Sequence, residues 1–490
     1  MMTLLLALAL AGTALSLVPN RRLVETAAIV APLLELLVVI SLAGTVLRDG
    51  QVTELGGWLA ADGLSVLVAL VTAGVALAAG IHSVGYLRED MRGRDIDRGQ
   101  GLRDLRRYYV LFHLFVFSML VIPVSNSLGV VWIAIEGTTL ASLFLVSYYR
   151  TREALEAAWK YVIVGSVGIA LALFGTILAY YAAVPVLGLT FDLNWSTLTV
   201  AAARLDPDVM RLAFLFIVVG YGTKAGLAPM HTWLPDAHSE APSPISALLS
   251  GVLLNGALYA ILRFYTLTVP SVGKEEVSLL LLAFGILSLL VATVFLLRQR
   301  DYKRLLAYSS VEHMGVIVVA VGFGGPLGMT GAILQLVNHA LAKSLMFFAS
   351  GHVLLRYETK EIDHVSGVVR ALPLSGAFLL IGGLALTGAP PFGLFASELT
   401  ALAAGFQGGF APAALLVLAC LVIIFVAIMG HLDRMAFGRV PDDVVLGERP
   451  RLGWIPLIVE GALLLVLGLS IPGPFADLVH AATRALGAGG

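Results

Sequence analysis

The chain has 490 residues, of which 59% are hydrophobic and only 13% charged, with a net charge of -1 and a mean hydropathy of +0.92. A soluble protein carries about twice that charged fraction, so the composition excludes a water-soluble globular fold and indicates an integral membrane protein. One cysteine, Cys420, excludes a disulfide framework and a thiolate metal cluster within the chain.

Apolar runs of about 17–25 residues recur along the whole sequence, which is the length that crosses a bilayer as a helix. They predict an all-α polytopic membrane protein with about fourteen transmembrane helices. In chain order, the predicted spans are 2–18, 24–47, 63–87, 108–124, 127–149, 159–183, 210–230, 243–268, 277–298, 305–323, 327–355, 372–406, 409–433 and 453–471.

The basic residues predict how these spans are oriented. Of the 31 lysines and arginines, 23 fall in the odd-numbered connections and six on the even-numbered side. This asymmetry predicts a plasma-membrane protein whose odd-numbered connections are cytoplasmic and whose two termini lie outside. Arg21 and Arg22 follow the first apolar run instead of preceding it, so that run is predicted to be a retained span. The remaining two basic residues, Lys224 and Lys343, fall inside predicted spans and are assigned to neither side, whereas Arg263, near the end of the eighth span, is counted with the connection that follows it.

Two spans contain prolines that break a helix at membrane depth. The seventh is interrupted around "GLAPMHTWLP" and the twelfth around "LTGAPPFGLFASEL". Broken helices five spans apart suggest two inverted five-helix repeats, each with one discontinuous helix beside a hydrated path. The predicted organisation is a three-helix segment, two five-helix units, and a last helix with a short tail. These parts are residues 1–107, 108–268, 277–433 and 434–490.

Charged residues inside spans are costly and mark ion paths. Glu136 lies about nine residues into the fifth span and Lys224 about fourteen into the seventh, roughly 14 and 21 Å deep at 1.5 Å per residue. We expect the two to form a pair near the midplane, in which the carboxylate switches the lysine between holding and releasing a proton. The alternative is a static ion pair that only fixes helix packing.

The second unit carries a similar set of polar residues. His339 and Lys343 are four residues apart in "NHALAKS" and therefore share one face of the eleventh helix, and Glu398 follows the second break. Further candidates for proton uptake or relay are His231, His238 and His313, since histidine titrates near neutral pH, and Asp236 beside them.

Three stretches resemble the antiporter-like membrane subunits of respiratory complex I, membrane-bound [NiFe] hydrogenases and Mrp antiporters. They read "KAGLAPMHTWLPDAHSEAPSPISALLSGVLL", "DYKRLLAYSSVEHMG" and "NHALAKSLMFF". Within this family, these stretches are most similar in sequence to hydrogenase-4-type component F subunits. The resemblance implies a chain of protonatable groups and water along the membrane plane.

By position, the resemblance implies that Glu136 is the fifth-helix carboxylate and Lys224 the seventh-helix lysine. It also implies that His339 and Lys343 form the eleventh-helix relay and that Glu398 is the exit residue. Asn255 departs from the family pattern, in which several members have lysine or histidine in the eighth span. Asparagine cannot carry a proton, so water or His339 would have to link the two halves.

The expected function is therefore a proton-translocating membrane subunit of a redox-driven complex of the hydrogenase or NADH dehydrogenase type. No metal or cofactor site is expected in the chain itself; iron–sulfur clusters and nickel–iron or flavin are expected in partner subunits. The expected partners are other membrane subunits, a peripheral redox arm and lipids, with no nucleic acid. Two alternatives stay open at this point. One is a subunit of a sodium/proton antiporter without redox activity, and the other is a scaffold with an inactive ion path.

Overall fold

A computed structural model describes residues 1–93, 98–448 and 452–487. Arg94, Arg449 and Arg451, which contribute to the predicted charge asymmetry, lie outside the described residues. The first part of the chain contains helices α1 (Met2–Ser16), α2 (Arg21–Asp49) and α3 (Gly63–Gly93). The strands β1 (Val52–Glu54) and β2 (Leu59–Ala61) pair antiparallel between α2 and α3.

The remaining helices follow in two groups separated by the connection at Gly273. The first group is α4 (Arg98–Val124), α5 (Leu128–Val146), α6 (Arg152–Leu187), α7 (Trp195–Ala201), α8 (Pro207–Ala225), α9 (Trp233–Glu240), α10 (Ser243–Leu248) and α11 (Leu254–Val272). The second is α12 (Lys274–Leu296), α13 (Tyr302–Phe323), α14 (Gly325–Tyr357), α15 (Val368–Ala371), α16 (Pro373–Leu386), α17 (Gly393–Gln407), α18 (Ala411–Ala436), α19 (Trp454–Leu469) and α20 (Gly473–Ala485). A π-helical turn, Leu249–Leu253, joins α10 to α11.

A helix lies at each of the fourteen predicted positions, which confirms the all-α membrane fold. Eleven helical segments in the described residues, with α8–α9 and α10–α11 each counted as one, are long and apolar enough to cross a membrane, and the α19–α20 pair, bent by 76°, makes a twelfth if taken as one span. Because α1 and α16 are shorter apolar helices, the count of fourteen and the inverted repeats stay predictions. Helix α4 begins at Arg98, so it crosses the predicted domain boundary at residue 107.

The predicted break in the seventh span falls between α8 and α9. Helix α8 ends at Ala225, and Gly226 then adopts a left-handed conformation with φ of 77°, which favours glycine. The interruption is held by defined bonds: the Trp233 indole donates to the Thr223 carbonyl at 2.8 Å, and the Ala228 amide donates to the Ser288 hydroxyl at 2.9 Å. The break is thus a built feature that stops α8 one residue after Lys224.

The predicted break in the twelfth span falls between α16 and α17, at residues 387–392. Gly388, with φ of 65°, lies directly against the Glu398 side chain: a Cβ at this position would come within 2.1 Å of Glu398 Oε2. Glycine therefore provides both the turn and the space for that carboxylate.

Burial is greatest in the middle of the molecule. Within an 18-residue window, the α10–α11 span is 100% buried and α13 and α14 are each 94% buried, whereas α18 is 33% buried. Apolar side chains such as Trp159, Ile163 and Val167 remain exposed on α6, as expected of helices that face lipid. The polar residues singled out above lie mostly on the central, buried helices.

Candidate functional site

Lys224 lies in the last turn of α8 and is fully buried. Its Nζ donates to the Thr139 hydroxyl at 2.5 Å and lies 4.4 Å from the centroid of the Tyr161 ring. The negative end of the α8 dipole and the electron-rich face of an aromatic ring both favour a cation at this place. The broken helix therefore supplies a favourable environment for the buried ammonium.

Glu136 is connected to Lys224 through Thr139. The Thr139 hydroxyl lies 3.2 Å from Glu136 Oε2, and the Ser166 hydroxyl donates to Glu136 Oε1 at 3.3 Å. We expected a close carboxylate–lysine pair, whereas the structure places one hydroxyl between the two charges. Because Glu136 and Thr139 are three residues apart on α5, both project towards α8 from one helix face.

Close packing of α8 against α6 positions Lys224 beside Thr139. A Cβ at Gly220 would come within 2.4 Å of the Ala172 backbone on α6, so only glycine permits this approach of α8 to α6. A Cβ at Gly165 of α6 would lie 2.9 Å from Lys224 Nζ. Small residues on α6 thus leave room for the long lysine side chain.

Replacing Thr139 by valine tests this connection. Valine keeps the shape but loses the hydroxyl, and a hydrogen bond to a charged group is worth about 1.5–3 kcal/mol. If the hydroxyl carries the proton between Glu136 and Lys224, we expect proton flux through the assembled complex to fall by about tenfold or more, since 1.4 kcal/mol corresponds to a factor of ten. Flux is measured with a pH-sensitive dye in proteoliposomes.

Two variants serve as controls for this measurement. Thr139→Ser restores the hydroxyl and should restore the flux. Thr138→Val removes a neighbouring hydroxyl that bonds the Ile135 backbone carbonyl, and it should leave the flux near the wild-type rate. Equal losses in the two valine variants would show that Thr139 has no special part in transfer.

The second set of polar groups is a stripe along α14. Gln335, His339 and Lys343 are spaced four residues apart and share one face. Lys343 Nζ donates to the Leu306 carbonyl at 2.8 Å and to the Ser309 hydroxyl. His339 Nε2 lies 3.3 Å from the Ser250 carbonyl, and its ring centroid is 5.1 Å from that of His313. The π-helical turn and α13 thus bracket the stripe.

Gln335 connects this stripe to the second break. Its Nε2 lies 3.0 Å from His313 Nδ1 and 3.4 Å from Glu398 Oε1, while its Oε1 accepts from the Ser397 hydroxyl. The structure therefore brings His313 and Glu398, from separate predicted spans, to the same amide nitrogen of Gln335. Their roles in proton relay stay predictions.

Asn255 clamps α11 to α14. Its Nδ2 donates to the Gly251 carbonyl at 2.7 Å and to the Leu336 carbonyl at 3.3 Å. Its Oδ1 is buried and has no hydrogen-bond partner among the described residues. An acceptor is thus left open between the two halves, where the sequence predicts a bridging water.

The candidates for proton uptake differ in accessibility. Asp236 forms ion pairs with Lys160 at 2.9 Å and Arg304 at 2.5 Å, and His231 is buried beside the Phe295 and Tyr308 rings. His238 is fully buried and stacks on Phe347 with ring centroids 5.1 Å apart. The short helix α9 turns the His238 side chain inward, away from the surface. Its part in proton uptake or relay stays a prediction.

Several buried polar residues were not singled out from the sequence. Glu312, on α13, has one oxygen 3.4 Å from His313 Nε2. Lys303, which was counted as a loop residue, is buried and donates to the Ser239 carbonyl at 3.1 Å and to the Ala241 carbonyl at 2.5 Å. Gln335 could have been found from its four-residue spacing to His339. Thr139 carries no such signal, because threonine is ordinary in membrane helices.

The candidate site thus consists of two clusters of ionisable groups, mostly buried, each beside a broken helix. Residues 125–424 match the protein family described as "NADH:quinone oxidoreductase/Mrp antiporter, TM". This match covers more than half of the chain, and the chain belongs to that family. It is an antiporter-like, multi-pass membrane subunit, as the resemblance predicted.

Individual relatives agree with this assignment. The Hydrogenase-4 component F homolog of Methylacidiphilum infernorum (isolate V4) is 39% identical over 422 residues, covering 85% of this chain and 86% of the relative. NADH-quinone oxidoreductase subunit N of Desulforudis audaxviator (strain MP104C) is 29% identical over 425 residues, covering 84% and 80%. A chain of the membrane-bound sulfane sulfur reductase, an archaeal respiratory membrane complex, matches with a TM-score of 0.86 and 26% identity, covering 99% of this chain and 97% of that one.

Proposed function

We propose that this chain is the proton-translocating subunit of a redox-driven membrane complex of the hydrogenase type. The observation that carries the proposal is the buried Lys224, joined to Glu136 by one hydroxyl at the end of a broken helix. Lysine, unlike arginine, can release its proton inside a protein. The similarity to a hydrogenase-4 component F homolog supports the hydrogenase class.

The mechanism follows from the contacts in each half. When Glu136 is charged and close, it favours the ammonium form of Lys224 through Thr139. Movement of the carboxylate away from Thr139 would remove that support, and Lys224 would then release its proton into the path towards Asn255 and His339. Lys343, His313 and Glu398 would carry out the corresponding transfer in the second half, with Glu398 as the exit residue.

The proposal includes a direction and a setting. Protons would enter from the cytoplasm near Asp236, pass the buried His231 and His238, and leave on the outer side, with both termini of the chain outside the plasma membrane. Iron–sulfur clusters and nickel–iron or flavin would be held by partner subunits in a peripheral arm. The energy of electron transfer in those partners would drive the movement of Glu136.

The function is tested on the complex purified through a tag on this chain and reconstituted in liposomes. We expect iron and nickel to co-purify, and we expect dihydrogen or NADH to start proton uptake that a protonophore abolishes and that does not need sodium. Proton movement is followed with a pH-sensitive dye in sodium-free and sodium-containing buffers. Sodium-dependent exchange in a complex without redox metals would contradict the proposal and identify an antiporter subunit instead.

A further inference from the structure

Three side chains at the second broken span bring metal-ligating atoms together. One carboxylate oxygen each from Glu312 and Glu398 and one imidazole nitrogen of His313 lie within 4.8 Å of one another. Glu312 and His313 come from α13, and Glu398 comes from α17. We propose that these residues form a binding site for a divalent transition-metal ion of the Zn²⁺ type.

The spacing of the ligand atoms fits such an ion. Zinc bonds to histidine nitrogen and carboxylate oxygen are about 2.0–2.2 Å long, so adjacent ligand atoms of a tetrahedral site lie about 3.3–3.6 Å apart. Glu312 Oε2 and His313 Nε2 are 3.4 Å apart. Only the Glu398 oxygen has to approach, and it lies on the helix that restarts after the break, while a water molecule would complete the tetrahedron.

Two of the three candidate ligand atoms have no hydrogen-bond partner in the part of the protein that the structure describes. Glu312 Oε2 and His313 Nε2 are buried, and within the described part of the chain neither has a hydrogen-bond partner. The residues themselves are 1% and 0% exposed. Burying a polar atom without a partner is costly, so both atoms point to a ligand that binds between them.

The surroundings can orient His313 for metal binding. A ligating imidazole usually donates its second N–H to a fixed acceptor, and Gln335 lies 3.0 Å from His313 Nδ1. A flip of the Gln335 amide would place its oxygen at Nδ1 and its nitrogen at the Ser397 hydroxyl, and it would release the 3.4 Å contact with Glu398 Oε1, which is then free to bind the ion. Ser397 also lies 3.0 Å from the Leu394 carbonyl, to which it can then donate.

The chemistry of the three ligands selects the type of ion. Mg²⁺, Ca²⁺ and Na⁺ prefer all-oxygen sites, whereas one imidazole with two carboxylates suits zinc and its neighbours. Two carboxylates also balance a doubly charged ion, which matters because an uncompensated buried charge is unfavourable. Binding would hold α13 and α17 together and occupy Glu398.

The test is zinc binding to the intact, purified complex. After equilibration with Zn²⁺ and removal of free metal, we expect the zinc content, measured by mass spectrometry, to be one ion per complex lower in His313→Gln and Glu312→Gln than in the wild type. Gln335→Leu should retain the site but weaken its affinity by about 10- to 100-fold, as loss of an outer partner typically does. The X-ray absorption spectrum of zinc in the wild type, after subtraction of the spectrum of His313→Gln, should show nitrogen and oxygen ligands only.

The matched control is His113→Gln. His113 is equally buried, but it lies on α4 against Gly12 and away from these carboxylates, so its loss should leave the zinc content unchanged. Equal zinc contents in the wild type and His313→Gln, with both complexes assembled, would overturn the site. A loss of zinc in His113→Gln that equals the loss in His313→Gln would overturn it as well.

A second measurement distinguishes failure of the metal site from failure of the proposed function. Zinc binding itself does not depend on the proposed function, whereas inhibition of proton uptake by zinc rests on it. If Glu398 is the exit residue, bound Zn²⁺ should inhibit proton uptake by the wild-type complex, and a chelator should reverse the effect. Zinc bound at the three residues without inhibition would confirm the metal site and contradict the role of Glu398. The variant for this measurement is Glu312→Gln, because Glu312 is a ligand of the site but has no part in the proposed transfer. Inhibition that is unchanged in Glu312→Gln would contradict inhibition through this site.

Discussion

Lys224→Ala is expected to lower proton translocation by the assembled complex by about 100-fold or more, the range in which a positioned acid–base group contributes. The ammonium is fully buried and bonded to Thr139, and alanine leaves no titratable group at the end of α8. The measurement is substrate-driven proton uptake in proteoliposomes, normalised to the amount of assembled complex.

Two further lysine variants make this result specific. Lys224→Arg keeps the positive charge but cannot release its proton at neutral pH, so it should be as inactive as Lys224→Ala. If the residue were only one member of a static buried pair, arginine would preserve activity, and that outcome would contradict the proton-transfer role. Lys274→Ala removes an exposed lysine at the start of α12 and should leave the rate unchanged.

Much of the fold and part of the site follow directly from the sequence. Apolar run length predicts helices, and prolines with glycines predict the two breaks, because both signals act over a few neighbouring residues. Lys224 and Lys343 stand out for a related reason. A charged residue inside an apolar run is costly to insert into a membrane, so its presence indicates an ion pair or a functional role. These features can be predicted without knowing which helices are in contact.

The partners of those charges could not be predicted in the same way. Depth along separate helices places Glu136 and Lys224 at comparable levels, but it does not show that Thr139 lies between them. The cluster of Glu312, His313 and Glu398 requires α13 to pack beside the second break. Such contacts depend on rotations of whole helices, about which one sequence without three-dimensional information says little.

Arg263 shows the same limit for a structural residue. It counted as a charge on the outer, even-numbered side, yet it is 2% exposed and lies within the α10–α11 span. Its guanidinium donates to both oxygens of Asp62 at 2.7 and 2.6 Å and lies 4.0 Å from the Trp195 ring centroid. Asp62 in turn accepts from the Ser65 amide in the first turn of α3, so the pair joins α3 to α11.

Replacing Arg263 by leucine is therefore expected to destabilise the protein strongly. Burial alone raises the pKa of the Asp62 carboxyl, but Arg263 and the hydrogen bonds from Arg263 and Ser65 outweigh this and hold that pKa below its ordinary value. Removing one partner leaves a buried charge without compensation, which costs about 3–5 kcal/mol. The pair's contribution is present above the unfolded-state pKa of Asp62 and is lost as the pH falls through the lowered, folded-state value.

The measurement is the melting temperature of the detergent-solubilised complex, determined from the fraction of this chain that remains soluble after heating to each temperature. Arg263→Leu should lower the melting temperature, and Asp62→Leu combined with Arg263→Leu should recover most of the loss, because apolar replacement of both partners removes the uncompensated charge. Arg211→Ala, which breaks an exposed pair with Glu276, should change little. A double variant no more stable than Arg263→Leu would mean that the guanidinium stabilises this junction through its packing on Trp195, and not through its charge.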